Sequence, residues 1–448
     1  MGAPGRYPTM KDSGVEWLGD VPVHWGCQRL KTLCTMQSGE AITAETIEAT
    51  GEYPVYGGNG VRGFSSKYTH DGTYALIGRQ GALCGNVRLA QGRFWASEHA
   101  VVTRLPGDHV PEWFVSVLTV MNLNQYSVAA AQPGLSVDRV LNLWVPVPPQ
   151  CEQRAIARFL DYATSRIDRC IHAKEKLITL LEEQKQAVIH AAVTGQIDVR
   201  TGKPYLKYKR SRISLIEDVP KCWKVRRLKT IARIRYGLGQ PPREVPDGLP
   251  MLRATNICRG EIVEKDMVYV DPKEVPIGRN ALLAQEEILV VRSGAYTADS
   301  AIVPQEYSGA VAGYDLVVAA TGVSPRFLAF ALLAGYVRDD QLIVASLRAA
   351  QPHLNAEELG VALVLLPSWQ DQVAIAEYLD TVTRQIQTTI THGRRQIELL
   401  GEYRNRLIAD VVSGKIDVRE VAAALPDEGP FAYKGTLDEV RRFHKKQG

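Results

Sequence analysis

The chain repeats itself, and the pattern of repetition limits what it can fold into. Gln153-Arg-Ala-Ile-Ala-Arg-Phe-Leu-Asp161 recurs 219 residues later as Gln372-Val-Ala-Ile-Ala-Glu-Tyr-Leu-Asp380. At the same offset Gly195-Gln-Ile-Asp-Val-Arg200 stands over Gly414-Lys-Ile-Asp-Val-Arg419, with nothing inserted between the matched ends. The register reaches back to Ala130-Ala-Gln132-Pro133-Gly-Leu135 over Ala349-Ala-Gln351-Pro352-His-Leu354. A second match, at offset 198, sets Val21-Pro22-Val-His-Trp25-Gly-Cys-Gln-Arg29-Leu-Lys-Thr32 over Val219-Pro220-Lys-Cys-Trp223-Lys-Val-Arg-Arg227-Leu-Lys-Thr230. The offsets differ by 21, so the second half carries that many extra residues between its matched ends. Such long-period similarity marks a tandem duplication with a common frame and divergent interiors.

The segment after each proline predicts a long helix. Leu160, Thr164, Ile167, Ile171, Ile178, Leu181, Val188 and Ala192 form an apolar or small stripe in the first copy. Leu379, Thr383, Ile386, Ile390, Ile397, Leu400, Leu407 and Val411 repeat it in the second. A stripe sustained over more than four heptads favours a coiled coil. Pro148-Pro149 with Glu152, and Ser368 with Asp371, are helix starts; Gly195 and Gly414 stand where a helix end wants positive φ. About 33 residues make a rod near 50 Å. Lys174 and Gln184 interrupt the first stripe, Gly393 and Tyr403 the second. Polar or small breaks of this kind set register or kink a helix.

The interiors, 33–147 and 231–366, are punctuated by Gly and Pro and carry short apolar runs. Tyr74–Ile77, Ala100–Thr103, Glu287–Val291 and Leu316–Val318 read as strands, and Pro111–Leu123 and Pro325–Tyr336 as short helices. The expected fold is α+β. Two β-rich globular domains (1–149, and 201–366 with a linker at 201–217) alternate with two helical spacers (150–200 and 367–419). The spacers pack as an antiparallel coiled coil in an internal pseudo-twofold repeat, and residues 420–448 form a tail. Trp25 and Trp223, fixed in the frame, are expected in the cores.

Composition narrows the function. The 448 residues are 45% hydrophobic, with 53 Lys+Arg against 49 Asp+Glu, so bulk charge does not announce a nucleic-acid binder. No apolar run approaches the ~18–20 residues of a membrane span, and the start lacks a signal peptide's apolar core. A soluble chain that stays in the cytoplasm is expected. The seven cysteines form no CxxC, and His24 with Cys27 lacks two further ligands, so no metal site is expected. Small buried thiols in a reducing compartment are the expectation.

No Walker phosphate loop occurs, since Tyr236-Gly-Leu-Gly239 lacks its lysine. Glu183-Gln-Lys185 has the tail of a metal-nuclease motif but lies on a helix without an upstream acid, and reads as a solvated face. No Asn-Pro-Pro-aromatic or Asp-Pro-Pro-aromatic tetrapeptide, expected where a base is methylated, is present. No catalytic residue is assigned. Binding has better support. Arg79-Gln80-Gly81-Ala82 and Arg292-Ser293-Gly294-Ala295 each follow a strand, where arginine reaches a guanine edge or a phosphate while glycine lets backbone approach. An arginine paired to a neighbouring acid is the competing reading. Gly57-Gly58-Asn59-Gly60 is a tight turn that also suits a phosphate. The candidate DNA contacts are Asn59, Arg62, Lys67, Arg79, Gln80 and Gln132 in the first domain. In the second they are Arg292, Ser293, Tyr296, Arg348 and Gln351. Candidates for helix packing or partner docking are Leu160, Ile167, Ile171, Ile178, Leu181, Leu379, Ile386, Ile390, Ile397 and Leu400.

Domain, Pro-x-x-x-[Glu/Asp]-Gln-x-Ala-Ile-Ala, long helix and Gly-x-Ile-Asp-Val-Arg, twice over, resembles the specificity (S) subunit of type I restriction–modification enzymes. Asp20-Val-Pro-x-x-Trp25, Asp218-Val-Pro-x-x-Trp223 and Leu252-Arg-Ala-Thr-Asn256-Ile resemble the same family, and the likeness spans about residues 13–419. The resemblance implies that the two variable domains are target recognition domains for double-stranded DNA. It implies that the helices separate them and dock two methyltransferase (M) subunits, with motor-nuclease (R) subunits completing a restriction complex. Two unequal domains would then read the halves of a bipartite, asymmetric target. A prokaryotic, cytoplasmic chain with no catalysis or cofactor of its own follows, with methyl donor, ATP and Mg on the partners. The base-contacting residues do not carry over, because the variable domains do not align. A coiled-coil scaffold with protein-binding arms and a stand-alone DNA-modifying enzyme are the alternatives.

Overall fold

The computed structural model describes residues 5–81, 84–127, 134–211, 213, 216–276, 278, 280–347 and 353–426. Two compact units emerge: Met1–Lys174 together with Arg395–Gly448, and Glu175–Arg394. The sequence boundaries are therefore cut across. Each unit holds one β-rich domain and a portion of both long helices.

Those helices, Gln150–Val193 and Trp369–Val412, are 44 residues each, about 66 Å at 1.5 Å per residue, longer than the stripe implied. The excess lies mostly at the start, where the first turns belong to the domain cores rather than to the stripe. Ile156, Ala157 and Leu160 are buried in the first unit, and Ile375, Ala376 and Leu379 in the second. Gln153 explains why the repeated motif begins with glutamine. Its amide donates to Pro148 O (2.9 Å) and its oxygen accepts from Val110 N (3.0 Å), just before the helix Pro111–Val120. Gln372 does the same with Pro367 O (3.1 Å) and Ser324 N (2.8 Å), before Pro325–Leu333.

Within each unit the helix segments run antiparallel. In the first, Arg404 reaches Asp168 (2.6 Å) and Lys174 donates to Gln396 (2.6 Å). In the second, Arg394 reaches Glu182 (2.8 Å) and Lys185 donates to Gln387 (3.1 Å), numbers on one helix rising as the other's fall. All ten stripe positions singled out above are buried or half-buried. Two of the breaks are accommodated: Lys174 is bonded across, and a Cβ on Gly393 would meet Ile178 at 3.4 Å, leaving room for a large neighbour. Gln184 and Tyr403 face outward.

The domain interiors share a frame that their sequences hide. The first unit carries a six-stranded sheet ordered Thr35–Ser38, Ala100–Arg104, His70–Gly78, Val87–Ala96, Tyr53–Gly57, Gly60–Ser65. The second carries Ala232–Tyr236, Leu316–Ala320, Ile288–Val290, Ser300–Ile302, the same order as the first four. Most of the second half's excess lies before Ile288, in Glu244–Leu252 and Val268–Val270, which form a separate sheet with Val311–Ala312. Trp25 and Trp223 are fully buried, as expected.

Each tryptophan packs beneath a frame glycine. Gly414 (φ +75°) and Gly195 (φ +72°) take left-handed backbone, and a Cβ on either would lie within 2.4 Å of Pro22 or Pro220. Only glycine fits there. In the first unit this brings the Gly-Lys-Ile-Asp motif onto the opposite end of the chain, where Asp417 N donates to Gly5 O (2.9 Å). A buried carboxylate closes the joint: Glu152 accepts from Tyr7 Oη (2.9 Å) and Trp25 Nε1 (2.9 Å) and bonds His24 Nε2 (2.7 Å). In the second unit Asp371 stands in its place, bonded to Arg200 and to Ser368 Oγ (2.8 Å). One methylene shorter, it leaves the buried Trp223 Nε1 without a partner among the described residues. A buried N–H left unpaired costs ~1–3 kcal/mol. Asp371→Glu should therefore stabilise the second unit by about 1 kcal/mol, and glutamate also suits the third position of a Ser-capped helix. Slower exchange of the Trp223 indole proton with a higher urea midpoint is the expected result; an unchanged proton refutes it.

The cysteines correct the sequence expectation. All seven are free, but only Cys34 and Cys84 are buried, while Cys151, Cys170, Cys222 and Cys258 are exposed. Cys151 and Cys170 sit on outward faces of the first long helix and Cys222 in the turn before Trp223, positions that periodicity did not distinguish.

Candidate nucleic-acid interface

The Arg-x-Gly segments become the same turn, built twice. In the first unit Gly85 N closes on Gly78 O (2.8 Å) and Cys84 N on Gly81 O (3.0 Å). In the second Ala298 N closes on Val291 O (2.9 Å) and Thr297 N on Gly294 O (3.2 Å). Gly81 and Gly294 adopt φ of +85° and +89°, which the reversal requires. Each turn is pinned from the same side: Leu135 N donates to Arg79 O (2.9 Å), and Leu354 N to Arg292 O (2.8 Å). Gln80 bridges Gly134, and Ser293 bridges His353. The segments that clamp the turns directly follow Gln132 and Gln351 in sequence. Gln132, Gln351 and Arg348 themselves lie outside the described residues.

Arg292 is committed within its own domain. Its guanidinium lies between the rings of Tyr236 (4.7 Å) and Tyr314 (4.4 Å), and it bonds His353 and Leu354 O. Its backbone N–H donates to buried Asp315 (3.1 Å), whose carboxyl burial pushes up to about 6. Both faces and much of the donor fork are occupied, so the side chain serves to hold the turn. The partners of the Arg292 side chain are a histidine, a carbonyl and two aromatic faces rather than a neighbouring acid. Arg79 donates to Ser38 Oγ (3.0 Å), and Ser38 stands over Tyr236 in the repeat.

Around the first turn a cleft of about 460 Å³ opens, lined by Gly57, Gly58, Asn59, Gly60, Arg62, Gln80 and His99 among others. It unites three candidates from two stretches, Asn59 and Arg62 of one hairpin with Gln80, all exposed. Arg62 folds across Gly57, where a Cβ would meet its Cδ at 2.6 Å, and has no acidic partner among the described residues. Lys67 is exposed beyond the same hairpin and does not line the cleft. In the second domain Tyr296 is exposed and Ser293 half-buried.

Sequence reasoning missed His99, which pairs with Glu98 (3.0 Å), and the Tyr236–Tyr314–His353 cage. His99 gave no local signal because it reaches the cleft from a strand start far along the chain. The Tyr pair was readable only with the sheet in hand, since Tyr236 ends one strand and Tyr314 stands in the bend that opens the neighbouring strand, Leu316–Ala320. Lys185 of the nuclease-like tripeptide bonds Glu261 (3.2 Å) and Gln387, a structural role. Among the described residues no cluster of three His, Cys, Asp or Glu could hold a metal, and no helix is long and apolar enough to cross a membrane.

A family model described as the type I restriction modification DNA specificity domain matches residues 22–183 and again 220–399. The chain belongs to this family, the specificity subunits of type I restriction–modification systems. The Type I restriction enzyme EcoprrI specificity subunit of Escherichia coli is 46% identical over 137 residues, 30% of this chain and 34% of its own length. The EcoBI specificity subunit of Escherichia coli is 26% identical over 327 residues, 66% of each chain. The chain thus spans a third and about two-thirds of these relatives. A solved chain from work on complex assembly and conformational transition of the type I R-M system shares the fold. It has a TM-score of 0.58 and 13% identity, covering 88% of this chain and 98% of that one.

Proposed function

We propose that this chain is the DNA sequence-recognition subunit of a type I restriction–modification assembly, each domain reading one half of a bipartite target. The observation that carries this is the double construction of one pinned turn on one sheet frame, with different side chains displayed. By strand register, Tyr236 and Tyr314 stand in one unit where Ser38 and His99 stand in the other. Duplicated scaffold with divergent surface is what two unequal half-sites demand. The paired helices form the coiled coil that sets the gap between half-sites and dock two M subunits, with R subunits added for restriction. Methyl donor, ATP and Mg then belong to those partners, and the assembly works in the prokaryotic cytoplasm. A chain with nearly balanced charge suits this role if the partners supply much of the phosphate contact.

The test exchanges residues 231–348 for the equivalent segment of another family member and maps methylation in cells also expressing the M subunit. One half of the target changes and the other is retained. Alteration of both halves, or of neither, refutes modular reading.

A further inference from the structure

We infer that Asn59, Arg62 and Gln80 are specificity-determining residues of the first domain, and that their cleft reads the major-groove edges of purines. The inference rests on the DNA-recognition reading above and deepens it. Asn59 occupies the tip of a two-stranded ribbon, Tyr53–Gly57 against Gly60–Ser65, at the edge of the sheet. A ribbon of that width enters the major groove of B-DNA, about 12 Å across. Gly57, Gly58 and Gly60 line the cleft and leave little side chain in the way of a base pair. Gly58 has little room for anything larger, since a Cβ there would meet His99 O at 3.2 Å.

The chemistry of the lining selects the ligand. Arg62 presents an exposed fork with no acid to neutralise it, matching guanine O6 and N7. Asn59 and Gln80 present amides, each able to accept from adenine N6 while donating to N7. No hydrogen bond engages either amide within the described residues, so both are available. Gln80 also sits on a turn whose backbone is fixed by Leu135 and Gly134, which sets the point from which the amide projects before DNA arrives. The arginines of the paired turns contribute differently: Arg292 is consumed by its cage and is a positioning residue for the second turn.

The experiment uses the full chain co-expressed with its M subunit and a DNA library randomised over the target, read by methylation. Asn59→Ala, Arg62→Ala and Gln80→Ala should each relax discrimination at one or two positions of a single half-site, by about 5- to 150-fold. The other half-site should be unchanged. Gln80→Glu turns the amide into an acceptor only and should move preference from adenine toward cytosine. This isosteric change keeps the test decisive if an alanine variant unfolds. Folded variants that keep every wild-type preference overturn the inference. A wild-type complex without a two-part target would instead overturn the reading beneath it.

Discussion

Ile167→Asp and Ile386→Asp should each cost about 4 kcal/mol of folding free energy, from lost packing plus an uncompensated buried carboxylate. Ile167 is 9% exposed and belongs to the core that also holds Leu407; Ile386 is 7% exposed on the matched position of the other helix. Such a loss approaches the whole stability of many domains. Leu180→Asp is the control, since Leu180 is 51% exposed on the same kind of helix. It should cost below about 1 kcal/mol, a helix-propensity effect. Urea unfolding followed by circular dichroism separates the two outcomes, and equal effects at all three positions would refute packing along the stripe.

A matched insertion of four residues, near Lys174 in one helix and near Gly393 in the other, should abolish recognition of the original target while creating a new one. These positions lie at the two places where the units divide, so neither domain is disturbed. Four helical residues add about 6 Å and turn the chain about 40° beyond a full revolution. Along B-DNA, 6 Å is nearly two steps of about 3.4 Å. Both half-sites should persist in methylation maps with a gap longer by one or two base pairs. Affinity for the old spacing should fall toward the non-specific level, roughly a thousandfold or more. A folded variant with an unchanged gap would show that the helices do not set the spacing.

The frame was legible because each of its residues makes contacts that only its own side chain, or the lack of one, allows. Gln153 and Gln372 make the same two bonds, Gly195 and Gly414 admit no side chain, and each leaves an identical letter in both copies. The frame shared by the interiors was not legible, although individual strands and helices were, because what repeats there is backbone bonding. Gly78 to Gly85 and Val291 to Ala298 close the same way, and sheet ladders accept any residue that fits the pleat. The offset also drifts, from 198 at Gly39 over Gly237 to 213 at Arg79 over Arg292 and 219 at Leu135 over Leu354, so no single alignment register shows it. Local chemistry singled out Asn59, Arg62 and Gln80, exposed polar residues that the fold brings to one cleft. The cage of Arg292 left no local signal, because its two aromatic partners lie 56 and 22 residues away, Tyr236 at a strand end and Tyr314 in a bend.

The bond from Asp417 N to Gly5 O has a consequence for synthesis. A ribosome releases the first domain early, yet that domain lacks Gly414 over Trp25, and Leu407, Val411 and Val412 in its core, until the whole second unit has emerged. The second unit, continuous from Glu175 to Arg394, has all its parts sooner. The domain translated first is therefore completed last, and in the interval its apolar floor beside Trp25 stands open to the cell.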